Sequence, residues 1–150
     1  MNISPQVTVR RVSWSEAGAA LRAIRKLVFV DEQRVPEKLE WDGIDEHCLH
    51  VLAAAAGGDA VGTGRLLPDG HIGRMAVMQG WRRRGVGGAI LMELIVAARE
   101  ALHSMVELSA QTHAIAFYRR YGFEVVSEEY LDAGIPHRTM RLSLLRPQPE

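Results

Sequence analysis

RRRGVGG, residues Arg82 to Gly88, stands between HIGRMAV (His71–Val77) and AILMELIVAARE (Ala89–Glu100). The order reads strand, basic glycine-rich turn, apolar helix. The first N–H groups of a helix have no intrahelical partners, and the helix dipole adds positive potential at that end. Gly85, Gly87 and Gly88 let an anionic group come close to the main chain, and Arg82, Arg83 and Arg84 add charge. A phosphate or pyrophosphate is the natural guest. The same residues also suit a tight turn with a solvated basic face, so the rest of the chain has to decide.

Upstream, QVTVRRV alternates and reads as a first strand. Ser13 with Glu16 forms a capping box, and Leu21, Ile24, Leu27 and Val28 mark an apolar helical stripe over 15–30. LHVLAAAA and AVGTGRLL, separated by GGD, predict a hairpin, and PDG at 68–70 turns into HIGRMAV to complete a three-strand meander. Downstream, the helix at 87–101 leads into SMVELSA, a strand expected to lie parallel to 71–77. THAIAFYRRYGF is a short helix with Ala114, Phe117, Tyr118 and Tyr121 on one face, ended by Gly122. EVVSEEYL and HRTMRLSLL read as two last strands joined by DAGIP.

This order predicts an α/β fold of the α+β kind in one domain, 1–150. A central mixed, mostly antiparallel sheet carries helices on both faces. Strands 71–77 and 105–110 form a parallel pair that can splay apart once their hydrogen bonding stops. The gap opens beside the helix N-terminus at Gly87, where mixed sheets favour ligands.

Composition narrows the function. The 150 residues carry no formal net charge, so any attraction for anions is local and a nucleic-acid partner is disfavoured. The lone Cys48 permits no internal disulfide and reads as a strand-start or core residue. No apolar run has the length of a signal peptide or a membrane span, so a cytoplasmic protein without a membrane partner is expected. VGTGRL lacks the third glycine and the following helix of a dinucleotide fingerprint, which leaves glycines for close packing. His47 and His50 lack a third fixed ligand, and no metal is expected.

Residues 31–46, DEQRVPEKLEWDGIDE, hold seven acids against two bases, a balance of −5. Such a loop with an aromatic at Trp41 can hold an ammonium group, or it can be a solvated loop anchored by Trp41. A helix-borne Tyr118 can donate a proton to a leaving group, or it can be a half-buried packing residue.

Taken together, the chain resembles the GCN5-related N-acetyltransferase (GNAT) superfamily along essentially its whole length. The superfamily's coenzyme A signature, Gln or Arg, two residues, Gly, one residue, then Gly or Ala, is matched by RRRGVG. Its later signature is matched by AIAFYRRYGF. Two further blocks, VFVDEQRVPEKLEWDGID and EEYLDAGIPHRTM, resemble the ElaA-type bacterial acyltransferases.

The resemblance implies acetyl-CoA as cosubstrate. Backbone groups of Met75, Ala76, Val77 and Met78 are expected to bond the pantetheine arm. Amides of Arg83, Arg84, Gly85, Val86, Gly87 and Gly88 are expected to hold the pyrophosphate, with charge from Arg82 to Arg84. Tyr118 takes the position of the general acid that protonates the departing thiolate, and Tyr121 is expected to pack toward the core. The acceptor is expected to be a small-molecule or peptide amine, attacking directly in a ternary complex. Glu107, Glu40 and Asp42 are the carboxylates considered for its proton, and Glu32, Gln33, Trp41, Asp42 and His137 are the residues expected around it. A non-catalytic coenzyme A-binding protein on the same fold is the alternative, and either a monomer or a homodimer is compatible.

Overall fold

Alternation of apolar and polar residues produces a first strand, β1 (Val7–Val12), after which Ser13 and Glu16 close the expected capping box on α1 (Trp14–Arg25). The computed structural model describes residues 7–145. Helix α1 ends earlier than its apolar stripe suggests. From Lys26 to Glu32 the chain widens into a π-helical segment, in which the Gln33 N–H donates to the Val28 carbonyl at 3.0 Å. The wider turn rotates Leu27 out of the core, where it is 45% exposed. π-Helical turns of this kind gather at functional sites.

The 31–46 segment is more ordered than a loop. It holds one helical turn, α2 (Glu37–Glu40), and a 3₁₀ turn at Asp45–His47. The meander follows as β2 (Leu49–Ala55), β3 (Ala60–Leu66) and β4 (His71–Val77), and then α3 (Val86–Glu100) and β5 (Met105–Gln111). The short helix α4 (Ile115–Arg119) precedes the last strands. EVVSEEYL, expected as one strand, is two: β6 (Glu124–Val125) and β7 (Tyr130–Asp132), both paired with the long β8 (Ile135–Ser143). Ser127 interrupts them because its Oγ accepts the Thr139 N–H at 2.8 Å, replacing a ladder bond with a side-chain one.

The sheet runs β1-β2-β3-β4-β5-β8-β6, antiparallel throughout except for β4 and β5. It is the mixed, mostly antiparallel sheet that the element order predicts. Helix α3 packs on one face through Ile90, Leu91, Leu94 and Ile95, and α1 packs on the other through Leu21 and Ile24. The glycines of VGTGRL serve this packing. A Cβ on Gly62 or Gly64 would stand 2.9 Å from Ile90, so α3 can approach β3 only over glycine.

Two features shape the cleft. The parallel pair is held only at His71–Glu107 and Ile72–Leu108, after which the strands part. The β3–β4 register also shifts between Thr63 and Arg65, where Arg74 adopts a left-handed φ of +50°. The resulting bulge turns the end of β4 away from β5.

Candidate active site

The turn after β4 leaves backbone N–H groups uncapped. Arg83 (φ +63°) and Gly85 (φ +83°) are left-handed, and no side chain caps the N-terminus of α3. The leading amides of α3 therefore face a cavity of about 690 Å³ at the open end of the splay. Val77, Arg82, Arg83 and the glycines Gly85, Gly87 and Gly88 line it, as do Trp81, Phe117, Arg120 and Tyr121. At Gly87 an added Cβ would make only ordinary contacts with Phe117 and Val77, at 3.7 and 3.8 Å, so the space above it is cavity. At Gly88 a Cβ would lie 2.0 Å from the Tyr121 hydroxyl. Gly88 is thus a packing glycine against Tyr121, just beyond α4; Tyr121 packs against the core cluster, as expected, and also lines the cavity.

The three arginines divide their roles. Arg83 lines the cavity and is exposed. Arg84 stacks on Trp81, with its guanidinium carbon 5.0 Å from the ring centre. Arg82 folds back: Nε donates to the Val77 carbonyl at 2.9 Å, and both Nη atoms donate to Glu32 at 2.7 Å. That fork holds the Glu32 carboxyl below its ordinary range. Glu32 and Arg82 thus engage each other at the rim of the cavity, which Arg82 also lines. At the end of β4, Val77 lines the cavity, while Ala76 and, just beyond the strand, Met78 pack toward α1.

Tyr118 sits behind the cavity wall. Its hydroxyl points at β4, 3.8 Å from the Met75 sulfur, and its ring meets Phe117 and Phe123 edge-on. Burial pushes its phenol up to about 12, so it stays protonated.

The expected bases are placed elsewhere. Glu107 belongs to the paired end of β4 and β5, where it accepts from Arg141 at 2.7 Å and contacts His71 at 2.9 Å. Arg141 is the main reason its carboxyl is held low. Glu40 is 2% exposed and joined to Arg25 at 2.8 Å and Arg74 at 3.0 Å. Both carboxylates are structural ion-pair partners, not free proton acceptors.

The remaining acids expected to meet an amine are likewise engaged. Asp42 faces Arg65 and Arg74, and Asp45 bridges Arg25 at 2.6 Å and Arg65 at 2.9 Å. Trp41 lies against Arg22 and Arg25, which also lie over Trp14. The −5 balance of residues 31–46 is therefore largely answered by arginines from α1, β3 and β4, and Trp41 and Asp42 are anchors of the segment. Cys48 is buried, with its thiol on the Ile44 carbonyl and its ionisation opposed by that burial.

Beside the splay, on the sheet face away from α3, β5 and β8 pair Ser109 with Thr139 and Gln111 with His137. Tyr130 bonds Ser109 at 2.6 Å and Thr139 at 3.0 Å, and its ring stacks on His137. His137 bonds the Ile135 carbonyl through Nδ1 at 2.6 Å. A carbonyl only accepts, so Nδ1 carries a proton. Nε2 has no hydrogen-bond partner among the described residues. Gln33 accepts from Gln111 at 2.9 Å.

Trp81, Arg120, Tyr130 and Gln111 were not singled out from sequence. Arg120 alone had a local signal, as part of the basic pair beside Phe117 and Tyr118.

Comparison with known proteins agrees with this architecture. The family model described as an acetyltransferase (GNAT) domain matches residues 19–144. An uncharacterized N-acetyltransferase of Bacillus subtilis, YjcF, is 41% identical over 121 residues, covering 78% of this chain and 86% of its own. The crystal structure of an acyl-CoA N-acyltransferase from Pseudomonas aeruginosa is 34% identical with a TM-score of 0.78, covering 90% of this chain and 98% of that one. That of Escherichia coli ElaA is 29% identical with a TM-score of 0.81, covering 89% and 98%. The chain belongs to the GNAT acetyltransferases, in a group similar to ElaA.

Proposed function

We propose that the protein transfers an acetyl group from acetyl-CoA to a primary amine, carried by a small molecule or a peptide, by direct attack in a ternary complex. One observation carries this reading. The uncapped N-terminus of α3 opens with Arg83 onto a cavity at the splayed ends of β4 and β5. Backbone amides there suit a pyrophosphate, and the parted edge of β4 suits an extended pantetheine arm. Bound acetyl-CoA supplies a thioester, an acetyl group already activated toward amines. Tyr118 holds a proton for the departing sulfur. Isothermal titration with acetyl-CoA tests the reading, and a lack of saturable binding at low-millimolar ligand refutes it. Turnover against polyamines, amino acids and peptides then separates an enzyme from a coenzyme A-binding protein.

With Glu40 and Glu107 engaged, His137 is the group left to take the amine's proton. Its tautomer is set by Ile135 and its Nε2 is open. Replacing His137 with glutamine should lower kcat by about tenfold or more with coenzyme affinity nearly unchanged. An unchanged kcat when chemistry is rate-limiting would exclude the role.

The turn itself yields a comparison. Gly87→Leu fits the protein but fills the cavity, so coenzyme affinity should fall by about tenfold or more. Arg83→Ala removes one exposed charge, worth about fivefold at most. Titration of both variants decides, and an equal or smaller loss at Gly87 contradicts the geometry.

A further inference from the structure

The π-helical segment ends in two consecutive residues that reach opposite lips of the cleft. Glu32 takes Arg82, at the start of the phosphate turn beyond β4, in a two-bond fork. Gln33 takes the amide of Gln111, the last residue of β5, which is itself bonded to His113 at 2.7 Å. No backbone pairing joins β4 to β5 beyond Ile72 and Leu108; each far end is laddered only to its outer neighbour, β3 or β8, so a direct tie across the gap falls to side chains.

We propose that Glu32 and Gln33 act as a strap of positioning residues that sets the width of the splayed cleft, one hand on each lip. The proposal rests on the acyl-CoA reading of that cleft. The fork also fixes the Arg82 side chain so that its Nε stays on the Val77 carbonyl, aligning the end of β4. Gln33 makes no hydrogen bond to the phosphate turn among the described residues, so its expected effect on the cofactor runs through the distance between the lips.

The sign of the effect tests this. Glu32 is a carboxylate near a site for a polyanion. If it merely neutralised a phosphate-binding arginine, its removal would free Arg82 and tighten binding. A strap predicts the reverse. Titration of coenzyme A into the wild-type protein comes first, and absence of binding there refutes the acyl-CoA reading and the strap with it. Given wild-type binding, Glu32→Ala should weaken it by about tenfold, Arg82→Ala by a similar factor, and the double variant by no more than about twice either. Gln33→Ala should also weaken coenzyme A binding severalfold, whereas Gln33→Glu, which keeps an oxygen for Gln111, should restore it. Thermal melts check that each variant is folded, and Glu32→Gln, which retains one acceptor for Arg82, replaces the alanine variant if that fails to fold. Tighter binding in the Glu32 variant, independent effects of Glu32 and Arg82, or unchanged affinity in Gln33→Ala would each overturn the strap while leaving the acyltransferase reading in place.

Discussion

Replacing Arg25 with alanine is expected to cost about 3–5 kcal/mol of folding stability, because it strands buried carboxylates. Arg25 is 1% exposed and is shared by Glu40 and Asp45. The guanidinium also fills the space between Trp14 and Trp41, so its loss leaves a void as well as unpaired charge. Urea unfolding measures the difference, and a loss under about 1 kcal/mol would show that Arg65 and Arg74 suffice without it. The same cluster gives stability a dependence on acid. Burial alone would raise the Asp42 carboxyl, but Arg65 outweighs it and holds it down to about 2. A depressed carboxyl contributes its full stabilisation above its unfolded value near 3.8 and loses it as pH falls toward about 2. Unfolding midpoints should therefore drop across that window, and should do so less when Asp42 is replaced by asparagine.

Tyr118→Phe is expected to lower kcat by about 10- to 1,000-fold with coenzyme affinity nearly unchanged. The substitution keeps the contacts with Phe117 and Phe123 and removes only the hydroxyl beside Met75. Single-turnover kinetics isolate the chemical step. An unchanged rate there would assign the proton to solvent.

The element order was legible because it rests on local patterns: alternation in β1, the capping box at Ser13, and the glycine punctuation around β2 to β4. The glycine-rich turn was legible for the same reason, since Gly85 to Gly88 and the helix they begin are contiguous. What was not legible depends on partners distant in the chain. Nothing around Glu40, Asp42 or Asp45 says that Arg25, Arg65 and Arg74 will meet them, so an acidic stretch looked available to an amine. Glu107 illustrates the same limit. Its strand was clear, but alternation cannot say that Arg141 and His71 lie on its face. The change to π-helix at Lys26 was hidden as well, because one extra residue per turn leaves the apolar spacing almost unaltered. Without that turn Glu32 and Gln33 could not be placed at the cleft.

The two-residue contact between β4 and β5 has a consequence for how this fold diversifies. A strand register is conserved stubbornly, because a one-residue slip turns every side chain to the wrong face. The gap beyond Ile72 and Leu108 contains no register to preserve. Substitutions can widen or narrow it while every ladder on either side stays intact. The width of the cleft can then change in small mutational steps without a slip in any ladder.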